Sequence, residues 1–201
     1  MASTTLKRTG RAAALAAAIA IPAEGLYRFA YYDPPGILTV CYGHTGTDVV
    51  KGKKYSLEEC NAFLTKDMQL AINYVDSCVP GLPVEMLAAF GDAVFNLGPT
   101  IACNQKASTA ARLLAKGEWR QACMQLPRWD KARVAGIMVS LPGLTKRRGK
   151  EMELCLSAFP APKMTTQWGD YYDAYRYTSN NEYVDQLVVE RLRRSSNGLL
   201  G

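Results

Sequence analysis

The sequence predicts an α+β fold in which a short β-hairpin is set among helices. Residues 24–46 combine turn residues with a run of β-branched and aromatic residues, which is typical of a hairpin. Most of the chain on either side, up to residue 158, has apolar residues at helical spacing with helix start and stop signals between the segments. The 201 residues, 48% of them hydrophobic, are enough for one domain with a buried core.

The first helix is expected over residues 12–23, where the chain is uncharged and rich in alanine. It would end at Glu24, because Gly25 is the residue type preferred just past a helix end. Residues 1–11 are polar and basic, and we expect them to lie before the helix. A basic stretch followed by a short apolar one is also typical of a secretory signal. Cleavage there would leave Glu24 at a frayed chain end, so we expect the segment to be retained.

The hairpin comes next, with a turn at residues 33–36 and a strand over residues 37–42. Ser56 and Glu59 then form a capping box that begins a long amphipathic helix, which the Pro/Gly-rich residues 80–83 end. The same start and stop signals predict further helices at residues 84–97, 109–116, 119–126 and 143–158.

Glu24, Asp33 and Thr39 are the candidate catalytic residues. A helix end delivers one carboxylate, and the hairpin brings back a second carboxylate and a hydroxyl. Glycoside hydrolysis needs one carboxyl group that protonates the leaving oxygen and a second polar group that holds water or stabilises positive charge on the sugar. Leu26 and Phe29 would shade Glu24 from solvent and favour its protonated form, whereas Asp33 would stay ionised. The competing interpretation is a helix-end charge, a turn residue and a strand residue without a shared role.

The spacing of Glu24, eight residues, Asp33, five residues and Thr39 resembles the catalytic triad of the phage T4-type lysozymes, glycoside hydrolase 24 family. Residues 39–46 look like the matching segment of the signal-arrest-release endolysins of the lambdoid phage 21 group. The resemblance covers residues 12–158. It implies a lysozyme-like fold, with a small hairpin lobe and a larger all-helical lobe joined by a long helix.

The same resemblance implies roles for residues outside the triad. Gly43, Phe95, Asn96 and Gln125 would contact the sugars, and His44 would have a structural role. Judged without the resemblance, Phe95 is equally a core residue and Gln125 a position on a solvated helix face.

The six cysteines indicate an oxidising compartment, because an even number suits a set of disulfides. Sequence alone does not choose among the pairings that six cysteines allow. The resemblance implies the pairings Cys41–Cys60, Cys78–Cys103 and Cys123–Cys155. The alternative is a cytosolic protein with free buried thiols. The spacing of Cys and His residues predicts no metal site, and we expect neither a metal nor a cofactor.

The formal net charge of +6 favours anionic partners. No nucleic-acid motif accompanies the basic residues, so we expect no nucleic-acid partner. The family resemblance implies peptidoglycan glycan strands as the partner, and we expect a monomer. An arginine among residues 146–148 would bind a carboxylate of the wall peptide or, more usually, form a surface salt bridge. Residues 159–201 lie beyond the resemblance and form a C-terminal extension whose role the sequence leaves open.

The resemblance implies an endolysin that hydrolyses the β-1,4 bond between N-acetylmuramic acid and N-acetylglucosamine in peptidoglycan and so lyses the host. It also implies export to the host periplasm, with residues 12–23 entering the inner membrane transiently. Otherwise the protein would stay in the host cytoplasm until a holin released it. Two alternatives stay open: a lytic transglycosylase that cuts the same bond, and a wall-binding or membrane-active module without catalysis.

Overall fold

The computed structural model describes residues 2–33, 36–134 and 136–160, so the C-terminal extension lies outside the described residues apart from its first two. The described part contains two small antiparallel sheets and seven α-helices. The helices are α1 (Ala2–Glu24), α2 (Leu57–Cys78), α3 (Val84–Leu97), α4 (Thr100–Cys103), α5 (Thr109–Ala115), α6 (Trp119–Cys123) and α7 (Pro142–Leu156). The strands are β1 (Tyr27–Tyr32), β2 (Leu38–Cys41), β3 (His44–Thr45), β4 (Lys131–Val134) and β5 (Ile137–Ser140). These elements confirm the predicted α+β class.

Helix α1 begins ten residues earlier than the sequence predicts, at residue 2 instead of residue 12. The expectation that residues 1–11 precede the helix is therefore wrong. The physical reason is a set of contacts made by polar residues. Arg8 donates to the Leu82 carbonyl at 2.9 Å and forms an ion pair with Asp76, and Thr9 is buried. These tertiary contacts extend the helix beyond its apolar stretch.

Helix α1 packs through a stripe of small residues. The buried positions recur at helical spacing on one face: Thr9, Ala12, Ala13, Ala16, Ile19 and Ala20. Because most of these side chains are single methyl groups, the α1 backbone can approach its neighbours α2 and α3 closely. The alanine-rich segment is thus part of the core in this structure.

No helix among the residues that the structure describes is both long enough and apolar enough to cross a membrane.

The small sheet has the order β1-β2-β3, with each neighbouring pair antiparallel. Gly25, at φ 73°, turns the chain out of α1 and into β1, as the sequence predicts. The register between β1 and β2 shifts between Tyr27 and Tyr31, so β1 is irregular and Tyr31 lies opposite Thr39. Thr39 on β2 therefore lies next to β1, the strand that follows the end of α1.

Helices α2 and α3 form the centre of the larger lobe. The predicted capping box begins α2: Glu59 N–H donates to the Ser56 hydroxyl, and the Glu59 carboxylate accepts from Ser56 N–H. Helix α3 is buried over most of its length. A Cβ added at Gly91 would lie 2.2 Å from Ile72 Cδ1, so only glycine permits this close approach of α3 to α2.

The larger lobe also contains a β-hairpin that the prediction of an all-helical lobe did not include. Strands β4 and β5 pair with full register from Lys131–Ser140 to Val134–Ile137. Their side chains are almost all exposed, and Gly136 at φ 84° supplies the backbone conformation of the tight turn. The preceding helix α6 ends at Cys123, earlier than predicted, and a 3₁₀ turn over Leu126–Trp129 follows it.

Three disulfides link these elements, in the pairings that the resemblance implied. Cys41–Cys60 joins β2 to α2, Cys78–Cys103 joins α2 to α4, and Cys123–Cys155 joins α6 to α7. Each bond closes a loop and restricts the unfolded chain. The first two disulfides hold the two ends of α2, and the third joins α6 to α7 within the larger lobe.

We predict that Arg8→Ala lowers the free energy of unfolding by about 1 kcal/mol, because it removes the partly buried ion pair with Asp76 and the bond to the Leu82 carbonyl. Chemical denaturation measures the change. Arg11→Ala is the matched control, since Arg11 is an exposed arginine on the same helix. Equal stability of the two variants would show that residues 2–11 are not held to the domain in the way described.

Candidate active site

Glu24 is the last residue of α1, and its carboxylate is largely shielded, with 23% of the side chain exposed. The shielding does not come from the apolar neighbours that the sequence suggested. Leu26 and Phe29 are 40% and 55% exposed, so that expectation is wrong. Instead, Arg147 Nη1 on α7 donates to Glu24 Oε1 at 2.5 Å. The main partner of Glu24 is therefore a buried cation and not an apolar surface.

The backbone of Ile37, in the hairpin, orients the other two candidate catalytic side chains, Asp33 and Thr39. Ile37 N–H donates to Asp33 Oδ1 at 2.7 Å, which fixes the Asp33 carboxylate at the turn. The Thr39 hydroxyl donates to the Ile37 carbonyl at 3.1 Å, and Thr39 is buried. Because its hydrogen is used in this bond, the Thr39 oxygen is left as an acceptor.

Glu24, Asp33 and Thr39 line one cavity of about 240 Å³, which we call the catalytic cavity. Three residues that the resemblance assigned to sugar contact line it as well, namely Gly43, Phe95 and Asn96, and its remaining wall is formed by Tyr31, Tyr42 and Thr45. The end of α1, the hairpin lobe and the end of α3 thus bring six of the predicted residues together around a single cavity.

Gln125 does not belong to this group. It lies between α6 and the 3₁₀ turn, and its side-chain oxygen accepts a hydrogen bond from Arg128 Nη1 at 3.1 Å. It is absent from the lining of the catalytic cavity. Sugar contact by Gln125 stays a prediction.

Gly43 brings the backbone close to Glu24. Its φ of 85° is in the left-handed region, which favours glycine. A Cβ added there would lie 3.6 Å from Glu24 Oε2. Any larger side chain would be strained and would crowd the carboxylate, so the absence of a side chain keeps the space beside Glu24 open.

His44 follows Gly43 and is buried within the hairpin lobe. Its Nδ1 is 2.7 Å from Asp67 Oδ2, and its Nε2 is 3.1 Å from Asp48 Oδ1. The ring stacks on Phe63, with centroids 3.9 Å apart. The hydrogen bond from His44 lowers the pKa of Asp48. These contacts join β3 to α2 and agree with the structural role that the resemblance implied.

Arg147 connects Glu24 to the core of the larger lobe. Its Nε and Nη2 donate to the two carboxylate oxygens of Asp92 on α3, at 2.9 and 2.8 Å. Arg147 is 4% exposed and Asp92 is fully buried. Burial acts to lower the pKa of Arg147, but the bonds to Asp92 and Glu24 outweigh it and raise the pKa above its usual value. The guanidinium is therefore a permanent, oriented cation beside Glu24.

A second buried pair lies behind Arg147 on the same helix. Arg148 Nη2 donates to Glu151 Oε1 at 2.5 Å and to Asn96 Oδ1 at 3.2 Å, which links this pair to the catalytic cavity. Burial lowers the pKa of Arg148. The pKa of Glu151 is raised, chiefly by burial and also by Asp92, although Arg148 and Arg147 oppose the rise. The expectation that this arginine cluster lies at the surface is wrong for Arg147 and Arg148, which are buried.

Several residues at the site were not identified from the sequence. Tyr31 lines the catalytic cavity, and its pKa is raised by burial and by the nearby Tyr27, Glu24 and Asp33.

A signal for the charged network did exist in the sequence. Positions 147, 148, 151, 152 and 155 recur at helical spacing and are all buried, yet three of them carry charge. Charges on the inward face of a helix call for a buried partner of opposite sign, and Asp92, the buried carboxylate on α3, is that partner for Arg147.

Comparison with known proteins agrees with this arrangement of fold and site. The family model described as phage lysozyme matches residues 22–151. The chain is 37% identical to the SAR-endolysin of Enterobacteria phage P21 over 134 residues, which are 66% of this chain and 77% of that relative. The fold and the site define a lysozyme-like protein, and this chain belongs to the phage lysozyme family.

Solved structures show the same likeness. The active form of the P1 phage endolysin Lyz superposes with a TM-score of 0.62 and 25% identity, over 74% of this chain and 86% of that one. The muramidase domain of SpmX from Asticaccaulis excentricus also has a TM-score of 0.62, with 27% identity over 74% of this chain and 95% of that one.

The raised pKa of Glu151 predicts a pH-dependent loss of stability. Glu151 binds its proton more tightly in the folded protein than in the unfolded one, so protonation of Glu151 stabilises the fold. This stabilisation is complete below the pKa of the unfolded state, about 4.3, and is lost as the pH rises through the pKa of the folded state. Glu151→Gln should keep the neutral form at every pH. The free energy of unfolding of the variant, relative to that of the wild type, should therefore increase as the pH is raised from about 4 to 8.

Denaturant unfolding at several pH values measures this difference. Glu153→Gln is the matched control, because Glu153 is an exposed glutamate on the same helix. Parallel pH profiles for wild type and Glu151→Gln would contradict the raised pKa of Glu151.

Proposed function

We propose that this protein is an endolysin that hydrolyses the β-1,4 bond between N-acetylmuramic acid and N-acetylglucosamine in peptidoglycan. The observation that carries the proposal is the convergence of Glu24, Asp33 and Thr39 on one cavity, with Arg147 bound to Glu24. Membership of the phage lysozyme family and similarity to proteins named SAR-endolysin support a peptidoglycan substrate and a role in host lysis.

Glu24 is the proposed general acid. As it gives its proton to the leaving oxygen, the carboxyl group becomes a carboxylate, and the Arg147 guanidinium at 2.5 Å stabilises the charge that develops. Asp92 accepts hydrogen bonds from the other two nitrogens of Arg147, Nε and Nη2, so the cation is already offset by one buried anion. Glu24 is thus not the only counter-ion of Arg147.

Asp33 and Thr39 are the proposed partners of the attacking water. The Ile37 amide occupies one oxygen of Asp33, which leaves the other available to accept a proton. The Thr39 oxygen can accept a hydrogen bond from the same water, because its own hydrogen is bound to Ile37. A water held between sugar and carboxylate is the arrangement of an inverting glycosidase, which the family resemblance implies.

The substrate contacts proposed for Gly43, Phe95 and Asn96 follow from their place in the catalytic cavity. Phe95 offers an aromatic surface, and Asn96 is held by its bond to Arg148. Gly43 provides an open backbone beside Glu24. We propose that no cofactor takes part, since an acid, an acceptor pair and water are sufficient for this hydrolysis.

We propose that the protein acts in the host periplasm as a monomer. Three disulfides favour an oxidising compartment, and the similar relatives are named SAR-endolysins, which supports a signal-arrest-release route through residues 12–23. Contact of that segment with the inner membrane would be transient, because the same alanine stripe is buried in the folded domain. We further propose that residues 12–158, together with the α1 residues 2–11 that pack on them, form the catalytic domain and that 159–201 are an extension to it.

Glu24→Gln should reduce lysis of chloroform-treated Gram-negative cells by about a hundredfold or more, because an amide cannot donate the proton. Turbidity decrease measures the activity, and circular dichroism checks that the fold persists. Glu58→Gln, at an exposed glutamate on α2, is the matched control and should keep full activity. A Glu24→Gln variant within about threefold of wild type would refute the role of Glu24. Absence of lysis by the wild type would favour a wall-binding module without catalysis.

Product analysis separates hydrolysis from the transglycosylase alternative. We expect reducing-end products, because Asp33 and Thr39 both present acceptors to a water in the catalytic cavity. Mass spectrometry of digested sacculi measures the ends that are formed. A 1,6-anhydro product would mean that the sugar's own hydroxyl attacks, and hydrolysis would be abandoned.

A further inference from the structure

The hairpin formed by β4 and β5 has one wholly apolar face. Successive residues of a strand alternate between its two faces, and residues directly opposite each other in an antiparallel pair share a face. The register pairs Ala132 with Val139 and Val134 with Ile137, so these four aliphatic side chains lie on the same face. We call this surface the apolar ribbon face.

The opposite face of the hairpin is polar and cationic. Its register pairs are Lys131 with Ser140 and Arg133 with Met138. Residues 131–140 include these two basic side chains and no Asp or Glu, so the hairpin carries positive charge only. The hairpin is therefore an amphipathic ribbon, with aliphatic side chains on one face and two cations on the other.

The apolar ribbon face is exposed to solvent. Ile137 is 68% exposed, Val134 50% and Val139 37%, although all three side chains are aliphatic. Scattered exposed apolar residues need no explanation, but neighbours on one face of a ribbon form a contiguous patch. Covering such a patch removes apolar surface from water, which is favourable. The patch is separate from the catalytic cavity, whose lining comes from the end of α1, the hairpin lobe and the end of α3.

The base of the ribbon is fixed to α7. Leu141 N–H donates to the Asp130 carbonyl at 3.0 Å, next to the first register pair of the hairpin. The Asp130 carboxylate accepts from the Thr145 hydroxyl at 2.8 Å and from the Ser140 hydroxyl at 3.2 Å. These bonds hold the ribbon in one direction relative to α7, and they occupy the carboxylate that adjoins it in sequence.

The chemistry of the patch favours a lipid surface as its occupant. A sugar site is concave and holds polar groups that orient the ligand, whereas this face is a ribbon surface without side-chain polar groups. A stable protein interface takes about 20–30 residues from each partner, far more than the four side chains present here. A bilayer surface needs only a small apolar insertion with cations close to it.

Charge and backbone pairing decide how deeply the ribbon would lie. One sheet layer is about 10 Å thick, which is close to the Debye length of about 8 Å at physiological salt. Lys131 and Arg133 would therefore feel the negative potential of a bilayer that the opposite face contacts, and their long side chains can extend toward it. Among the described residues, each strand of the hairpin pairs only with the other, so the backbone groups on both outer edges need water or headgroup partners. The ribbon thus suits the headgroup boundary and not the hydrocarbon core.

We propose that the apolar ribbon face docks the folded protein on an anionic phospholipid bilayer, with Val134 and Ile137 buried at the headgroup boundary and Lys131 and Arg133 close to the lipid phosphates. This contact is distinct from any made by residues 12–23, whose alanine stripe is buried in the folded domain. The proposal does not rest on the proposed cleavage of peptidoglycan, because none of the ribbon residues lines the catalytic cavity.

Flotation with lipid vesicles tests the proposal, using the full chain and vesicles of phosphatidylglycerol and phosphatidylethanolamine. Ile137→Ser should weaken binding about fivefold or more, because it removes a largely exposed side chain of the apolar ribbon face. Met138→Ser is the matched control, since Met138 is 53% exposed beside Ile137 but on the opposite face, and it should change binding by less than about twofold. Lys131→Gln should weaken binding about threefold to fivefold, and vesicles of phosphatidylcholine should bind more weakly than the anionic ones.

Val134→Ser serves as a second variant of the apolar ribbon face and should behave like Ile137→Ser, and circular dichroism checks that each variant folds. Absence of wild-type binding to the anionic vesicles overturns the proposal. Binding that Ile137→Ser and Val134→Ser leave unchanged also overturns it, because the membrane contact would then lie elsewhere in the chain. A wild-type dimer in analytical ultracentrifugation that Ile137→Ser dissociates, with vesicle binding unchanged, would assign the face to a second copy instead.

Discussion

The buried guanidinium of Arg147 is the interaction on which the site depends. It joins three helices, because it lies on α7, forms two hydrogen bonds to Asp92 on α3 and a third to Glu24 at the end of α1. A buried charge without partners would be strongly destabilising, so these three helices must meet in one arrangement. The same requirement that stabilises the core also places the Glu24 carboxyl group at the mouth of the cavity.

The approach of α1 to this network depends on small side chains. The alanine stripe of α1 allows close packing against α2 and α3, and Gly91 allows the matching approach of α3 to Ile72 on α2. This composition has a second consequence. An alanine-rich segment behind basic residues also resembles an export signal, and alanine is apolar enough for a core but only weakly favourable in lipid. One stretch of sequence thus forms a helix of the domain and also resembles the apolar part of an export signal.

Local features were predictable where local physics decides them. The capping box of Ser56 and Glu59, the Gly25 turn after α1 and the end of α3 at Gly98 all lie where the sequence predicts, because each depends on residues within one turn of the helix end. The short strands of the second hairpin were missed. Residues 131–134 alternate polar and apolar types but residues 137–140 do not, and four residues are too few for the period of two to stand out.

The sequence by itself determined the α+β class, most helix boundaries and the spacing of Glu24, Asp33 and Thr39, because periodicity, caps and turn residues act over a few neighbours. Only the tertiary structure decided which groups surround Glu24. Leu26 and Phe29 are its neighbours in sequence but are largely exposed, whereas Arg147 is more than a hundred residues away and contacts it directly. The length of α1 was decided in the same way, through the contacts of Arg8. Such partners cannot be read from spacing along the chain, because the energy of a buried ion pair depends on what the fold brings together.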